Sequence, residues 1–201
     1  MAREPLTDDR LDELELGRDI RDPVDERRRG EEYVELSRDP HPEDVYGVAD
    51  MLICAAECFE NAGDLDRGLE LLEEAWEAGD NVVQPDPRAE TVALLLKAGR
   101  REEAMARANE LRKADSAELD TYLRMAEIME EAQEDRQALA WITRGILVAE
   151  QLGVHDSFEG ESLFVVRLRM RDSMGLPRDE DDLYAEAVLQ RRRTDAEWLG
   201  V

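Results

Sequence analysis

One stretch of the sequence, Met51–Ala78, has the pattern of a helix, a tight turn and a second helix, and this pattern returns twice further along the chain. The turns fall at Gly63, Gly99 and Gln133, which are 36 and then 34 residues apart. Small and large apolar residues occupy matching positions around each turn. A repeat of this period predicts helical hairpins that stack on one another, because a single hairpin cannot bury all of its apolar surface alone.

Residues before each turn recur with the spacing i, i+3, i+4 and i+7, which places them on one face of a helix. These positions hold Leu52, Ala55, Ala56 and Phe59, then Arg88, Thr91, Val92 and Leu95, then Tyr122, Met125, Ala126 and Met129. The helices after the turns have matching positions at Gly68, Leu72 and Ala75, then Ala104, Ala108 and Leu111, then Ala138, Ile142 and Gly145. A small residue recurs where the two helix axes are expected to cross, so the helices can approach closely.

The pattern resembles the tetratricopeptide repeat (TPR) family, which combines a small residue among large ones, a glycine at the turn and alanines on the second helix. The segments LICAAECFENAGDLDRGLELLEEA and YLRMAEIMEEAQEDRQALAWITRG carry the resemblance. The middle hairpin departs from it at Arg88 and Thr91, the third has Gln133 at its turn, and none has the closing proline. The resemblance implies an all-α fold of antiparallel helix hairpins stacked into a right-handed superhelix. An ordinary helical bundle with a chance period is the alternative.

Three regions are predicted along the chain. Residues 1–40 are interpreted as an N-terminal helical arm or cap that is partly loose, residues 41–193 as the repeat domain, and residues 194–201 as a C-terminal tail. Within the arm, Thr7 is expected to cap a short helix, and Pro23 to begin a second helix that ends before residue 39.

Several boundaries within the repeat domain are also predicted. The first repeat helix is expected to begin near Pro42, and residues Gly79–Pro87 to form a loop. A later helix is expected to run from Asp135 to Leu152 and to stop at Gly153. The chain after Gly153 is predicted to form a loop over residues 154–161, an apolar helix that ends at Gly175, and a final helix over residues 176–193.

Composition agrees with a helical protein that is not secreted. Apolar residues make up 42 % of the chain and aromatic residues only 5 %, and no apolar run approaches the 18 residues of a membrane-spanning helix. The sequence start MAREPLTDDR has no apolar signal core, so we expect a cytoplasmic protein. Basic residues are nearly all arginine, which together with abundant Ala, Asp, Glu and Gly is typical of a GC-rich bacterial genome.

Candidate catalytic and metal-binding residues are few. The two histidines, His41 and His155, both lie beside loop signals, which is typical of solvent-facing side chains. Cys54 and Cys58 lie four apart on one predicted helix, where we expect them to fill space rather than to bind metal, because structural zinc needs four ligands. No phosphate-binding loop or nucleophile motif is found. The sequence therefore predicts neither an enzyme nor a bound cofactor or metal.

Charge restricts the partners. The formal net charge of −25 disfavours direct binding to nucleic acid or to an anionic membrane, because both carry phosphate charge of the same sign. A basic protein or peptide is favoured instead, and a homodimer is also compatible with the sequence. Solubility, or adaptation to a salty cytoplasm, explains the same acidic excess equally well.

The TPR resemblance further implies a concave groove lined by the first helix of each hairpin. The middle of this groove is predicted to be apolar and its flanks acidic. The predicted groove residues are Ile53, Glu57, Glu60, Ala89, Ala93, Leu96, Leu123, Glu127, Glu130 and Glu131. TPR proteins that grip an acidic chaperone tail carry lysine, arginine and asparagine at these positions, so a chaperone adaptor is disfavoured.

Two functions remain. The first is a non-enzymatic interaction scaffold that binds a basic, partly apolar protein segment in the acidic groove. The alternative is an acidic regulatory protein that mimics nucleic acid and binds a DNA-binding protein. The distribution of charge separates them, because a scaffold concentrates acidic residues at the groove whereas a mimic spreads them over a convex face.

Overall fold

The computed structural model describes residues 3–15, 21–78, 86–114 and 118–199, with side chains described up to residue 194. The regular secondary structure of these residues is entirely α-helical. None of the described helices is both long and apolar enough to cross a membrane. The helices are α1 (Asp8–Glu15), α2 (Pro23–Arg38), α3 (Val48–Asn61), α4 (Leu65–Ala78), α5 (Pro87–Lys97), α6 (Arg101–Ala114), α7 (Leu119–Glu131), α8 (Asp135–Leu152), α9 (Phe158–Ser173) and α10 (Glu180–Leu199).

The chain divides into two compact units, Met1–Ala114 and Asp115–Val201, called unit 1 and unit 2 below. Unit 1 contains α1–α6 and unit 2 contains α7–α10. Each unit is built mainly from contacts between helices that follow one another in sequence. This division does not coincide with the predicted boundary at residue 40, because α2 packs extensively against α3 in unit 1.

The three predicted turns connect helix pairs α3–α4, α5–α6 and α7–α8. Gly63, Gly99 and Gln133 all adopt left-handed backbone conformations, with φ of 78°, 73° and 61°. After each turn residue, the next backbone N–H donates to a carbonyl five residues earlier; the bond from Asp64 to Phe59 measures 2.8 Å. The same bond at the other turns ends each first helix in the same way. The middle and third predicted helix pairs therefore share the turn geometry of the first.

Small residues allow the paired helices to approach closely. A Cβ atom placed on Gly68 would lie 2.8 Å from Leu94 Cδ2 and 3.3 Å from the backbone oxygen of Ala56, so α4 contacts both α3 and α5 at this point. In unit 2, a Cβ atom on Gly145 would lie 2.8 Å from Tyr122 Cβ. Gly68 lies at a crossing for which the repeat pattern predicted a small residue, whereas Gly145 occupies a different position of that pattern.

The N-terminal part of unit 1 follows the predicted helices. The backbone N–H of Arg10 donates to Thr7 Oγ1 over 3.3 Å at the start of α1, and α2 begins at Pro23 after an Asp22 cap. A Cβ atom on Gly30 of α2 would lie 2.8 Å from the Phe59 ring. Helix α2 therefore covers a face of α3 that would otherwise expose apolar side chains.

Helix α3 begins at Val48 rather than near Pro42, which corrects the predicted start. The reason is Asp44, whose carboxylate accepts hydrogen bonds from Arg3 and from the backbone N–H groups of Leu6 and His41, the last two over 2.7 Å each. These bonds hold residues before α3 in a non-helical loop. Of the loop predicted over Gly79–Pro87, residues 79–85 lie outside the described residues, and Pro87 already belongs to α5.

In unit 2, α8 has the predicted bounds and ends at Gly153, which adopts φ of 71°. Helix α9 begins at Phe158, so the predicted loop over residues 154–161 is too long by four residues; the hydroxyl of Ser157 accepts from the N–H of Gly160 over 3.0 Å and caps the helix early. Helix α10 continues to Leu199, so residues 194–199 are helical where a separate tail was expected.

Candidate binding surfaces of the two units

The ten predicted groove residues divide between the two units. Six of them lie on α3 and α5 of unit 1, and four lie on α7 of unit 2.

In unit 1, an ion pair joins α3 to α5 among the predicted groove residues. Lys97 Nζ donates to Glu60 Oε1 over 2.7 Å. One helical turn before these residues lie Glu57 on α3 and Ala93 on α5, and Leu96 lies beside Lys97. Glu57 is exposed, while Ala93 and Leu96 are half-buried. This α3–α5 face therefore presents a carboxylate beside partly exposed apolar side chains.

Two predicted residues of this face are corrected. Ala89 is fully buried and Ile53 is only 9 % exposed, so neither offers an open apolar floor. The physical reason is that α3 is packed between α2 and α4, and α5 between α4 and α6. Short or inward side chains on such helices do not reach the surface.

In unit 2, Glu130 of α7 accepts two hydrogen bonds from Arg169 of α9, over 2.9 and 2.7 Å. These bonds raise the pKa of Arg169 above its ordinary value. Leu123 is half-buried, and Glu127 and Glu131 are exposed, with Glu127 3.5 Å from Arg124. Arg169 was not identified from the sequence, because α9 has no clean repeat positions from which its facing side could be assigned.

The acidic flanks are thus partly neutralised within each unit. Glu60, Glu127 and Glu130 each lie within 4 Å of a basic side chain of the same unit. These pairs are exposed or half-exposed, so each contributes at most about 1 kcal/mol to stability. A basic partner would have to compete with Lys97, Arg124 or Arg169 at these carboxylates.

A pocket of about 250 Å³ lies between α4, α5 and α6 of unit 1. Its rim carries charged side chains from α4, α5 and α6, and its inner wall is mainly apolar. The rim residues are Glu73, Arg88, Arg107 and Glu110, and the wall residues are Leu72, Trp76, Thr91, Leu111 and Ala114.

Arg88 is held in place at this pocket by two contacts. Its guanidinium lies 4.1 Å from the centre of the Trp76 ring, a cation–π geometry. Its Nε and Nη2 atoms donate to the buried carboxylate of Asp86 over 3.0 and 2.7 Å. The hydroxyl of Thr91 donates inward to the carbonyl of Pro87 over 2.8 Å. Arg88 and Thr91 are the two residues at which the middle hairpin departs from the apolar repeat pattern.

The pocket therefore forms where the repeat pattern is interrupted. The first hairpin has Leu52 and Ala55 at the matching positions, and the third has Tyr122 and Met125. In the third hairpin the Tyr122 ring contacts Trp141 at a centroid distance of 6.0 Å. In the middle hairpin Arg88 takes the position of Tyr122 and contacts Trp76 and Asp86, and Thr91 takes the position of Met125. The sequence signal for the pocket was the departure itself.

The other residues singled out in the sequence lie in the packed core or in loops. Cys58 is buried, and its Cβ lies 3.3 Å from the position of a Cβ on Gly30, so it packs between α2 and α3. His41 Nδ1 accepts from the backbone N–H of Glu43 over 3.2 Å, and His155 is exposed. Across the described residues, no group of three or more His, Cys, Asp or Glu side chains is placed to hold a metal ion.

Comparison of the sequence with family models finds no match, and neither a curated protein nor a solved structure matches the chain. The TPR resemblance therefore rests on the repeat pattern and on the helix pairs described above.

Proposed function

We propose that this chain is a TPR-like, non-enzymatic interaction scaffold of the cytoplasm that binds a basic, partly apolar protein segment. The observation that carries the proposal is the α3–α5 face of unit 1. There Glu57 is exposed one turn from the Glu60–Lys97 pair, beside the half-buried Ala93 and Leu96. A partner with alternating basic and apolar side chains matches such a surface in both charge and hydrophobicity.

Unit 2 supports the same proposal independently. Its α7 carries exposed Glu127 and Glu131 near half-buried Leu123, and α9 adds half-buried Val165 and Val166 one turn before Arg169. The proposal does not require that the two units act on one ligand. Each face offers acidic side chains for attraction and apolar atoms for contact.

Physical chemistry predicts how such binding responds to salt. Exposed charges mostly accelerate association, while apolar contacts determine how long the complex lasts. Salt screens the charges over about 8 Å at physiological ionic strength. Binding is therefore expected to weaken with salt without being abolished.

The test uses a fluorescein-labelled amphipathic helical peptide made of lysine and leucine. A matched peptide with glutamate in place of each lysine tests whether binding depends on the sign of the charge. Fluorescence anisotropy is measured for the wild type, for Glu57→Lys, for Glu127→Lys and for the double variant. Glu35→Lys on the exposed side of α2 is the control with the same change of charge. Thermal melting verifies that every variant folds.

We expect Glu57→Lys and Glu127→Lys each to weaken lysine-peptide binding about fivefold, the effect of roughly 1 kcal/mol for an exposed charge. The double variant also has a flatter salt dependence, and Glu35→Lys binds like the wild type. Equal binding by the double variant and the wild type, or preference for the glutamate peptide, would refute the proposed function.

A further inference from the structure

We propose that the pocket between α4, α5 and α6 is a second docking site, which takes one large apolar side chain from a basic segment of a partner protein. This inference rests on the proposed function in taking the ligand to be a protein. It places that ligand on another surface, because the pocket residues Arg88 and Thr91 lie on a different side of α5 from Ala93 and Leu96.

The size of the pocket favours a side chain over a free small molecule. Pockets for drug-sized ligands and cofactors usually measure about 300–1,000 Å³, and this pocket measures about 250 Å³. Protein interfaces, in contrast, gain most of their affinity from single large side chains inserted into pockets of this kind. The apolar wall of Leu72, Trp76 and Leu111 suits such an anchor.

The wall is also preorganised. Arg88 is fixed between the Trp76 ring and the Asp86 carboxylate, and this contact holds one face of the indole against α5. Leu72 and Leu111 are each 3 % exposed and are packed among neighbouring side chains. The wall is therefore already ordered before an anchor enters, and it loses little conformational entropy on binding.

The net charge of the chain favours basic neighbours for the anchor. At the rim, Arg107 donates to Glu73 over 2.6 Å and lies 3.4 Å from Glu110, so two carboxylates share one guanidinium there. Arg88 is likewise matched by Asp86. The lining carries two carboxylates and two arginines, so the negative charge that a partner meets is that of the whole chain, with its formal net charge of −25. An anionic ligand is disfavoured, while lysine or arginine beside the anchor is favoured.

The test follows the Trp76 indole signal in ¹H–¹⁵N spectra of the whole chain, assigned with Trp76→Phe. Three probe peptides are titrated: a lysine-flanked phenylalanine, the same peptide with alanine in place of phenylalanine, and a glutamate-flanked phenylalanine. Trp141, which lies in unit 2, is the internal reference.

The plugging variant is Ala114→Phe, since Ala114 lines the pocket but is exposed, so that the fold tolerates a larger side chain. Ala106→Phe, at an exposed position of α6 outside the pocket, is its matched control. Thermal melting is compared for both variants before they are titrated.

We expect the lysine-flanked phenylalanine peptide to shift the Trp76 signal and to bind roughly tenfold or more tightly than its alanine counterpart, given the contribution of one buried aromatic side chain. Ala114→Phe abolishes the shift, and Ala106→Phe and Glu57→Lys preserve it. A silent Trp76 signal, equal shifts with the alanine peptide, or tighter binding of the glutamate-flanked peptide overturns the inference.

The outcomes of the two tests are separable. If Glu57→Lys weakens lysine-peptide binding while the Trp76 signal does not shift, the result supports the α3–α5 face as a binding site and rejects the pocket. A Trp76 shift that Ala114→Phe abolishes, together with no effect of Glu57→Lys and Glu127→Lys, supports the pocket and rejects the faces.

Discussion

Arg167 Nη1 donates to the carboxylate of Asp182 over 2.9 Å, and both side chains are buried between α9 and α10. Arg171 Nε donates to the second oxygen of the same carboxylate over 3.0 Å. Asp179 accepts from Arg167 over 2.7 Å and exchanges capping hydrogen bonds with Asp182 at the start of α10. The buried charges of Arg167 and Asp182 are therefore matched within one network.

Removing one member of that network is expected to be costly. Asp182→Ala leaves the buried guanidinium of Arg167 with less compensation, and we expect a loss of about 3–5 kcal/mol in the free energy of unfolding. Urea denaturation followed by circular dichroism measures the change. Asp181→Ala is the matched control, because the Asp181 carboxylate is 40 % exposed and 3.5 Å from Arg167. Equal losses in the two variants would show that burial does not set the cost.

Ala126 tests the close approach of α7 and α8. Its side chain is fully buried, so Ala126→Leu has no room for its extra methyl groups and should destabilise the protein by about 1–3 kcal/mol. Ala140→Leu, at an exposed position on α8, is expected to change stability by less than about 0.5 kcal/mol. Thermal melting compares the two variants, and a neutral Ala126→Leu would contradict the packing described for unit 2.

Substitutions at the turns are expected to change stability in opposite directions. Gln133 is the non-glycine residue of the described chain with a positive φ, whereas Gly63 and Gly99 adopt similar angles. A Cβ atom on Gly63 or Gly99 would meet nothing within 4 Å, so Gly99→Ala should cost only the backbone strain of about 1 kcal/mol. Gln133→Gly should relieve strain and stabilise the protein by roughly 0.5 kcal/mol, since the greater freedom of unfolded glycine offsets part of the gain. Chemical denaturation measures both changes.

The contacts of the Asp44 carboxylate predict that the protein loses stability in acid. The Arg3 guanidinium, and then the N–H groups of Leu6 and His41, hold the pKa of the Asp44 carboxyl well below its usual range. The unfolded carboxyl titrates at about 3.9, so the contribution of Asp44 to stability is complete above that pH and is lost as pH falls below it.

Asp44→Asn should therefore destabilise the protein at pH 7 by about 1.5–3 kcal/mol and reduce the slope of stability against pH between about pH 4 and pH 2. Urea denaturation across this range measures both effects. Glu35→Gln at an exposed position of α2 serves as the control. An unchanged acid slope in Asp44→Asn would show that another carboxyl dominates acid unfolding.

The repeat pattern was sufficient to predict the hairpins because close helix crossings demand small residues, and Ala56 and Gly68 show where the crossing lies. It failed for the last pair, α9–α10, where Arg167 and Arg171 occupy buried or half-buried positions. The periodicity of apolar residues cannot identify two buried arginines, because their burial depends on carboxylates that α10 provides. The start of α3 was misplaced for a similar reason, because Asp44 is bound by Arg3 from far earlier in the sequence.

The candidate site was harder to predict than the fold. Helical register placed Glu57, Ala93 and Leu96 at accessible positions, but it could not show that Ala89 lies beneath neighbouring helices. Register also gives no information on salt bridges such as Glu130–Arg169, which need the side-chain geometry of two helices. The pocket beside Trp76 required the structure, because the departures from the repeat pattern at Arg88 and Thr91 do not show whether neighbouring helices fill the space.

The succession of contacts between helices adjacent in sequence has a kinetic consequence. Apart from a smaller contact between α7 and α9, the substantial helix–helix contacts of the described chain join consecutive elements. Each hairpin can close over a short loop without waiting for distant segments, so its contact order is low. Proteins of this kind fold within microseconds to milliseconds. The chain is thus suited to acquire structure hairpin by hairpin as it leaves the ribosome, before its C-terminal residues have been synthesised.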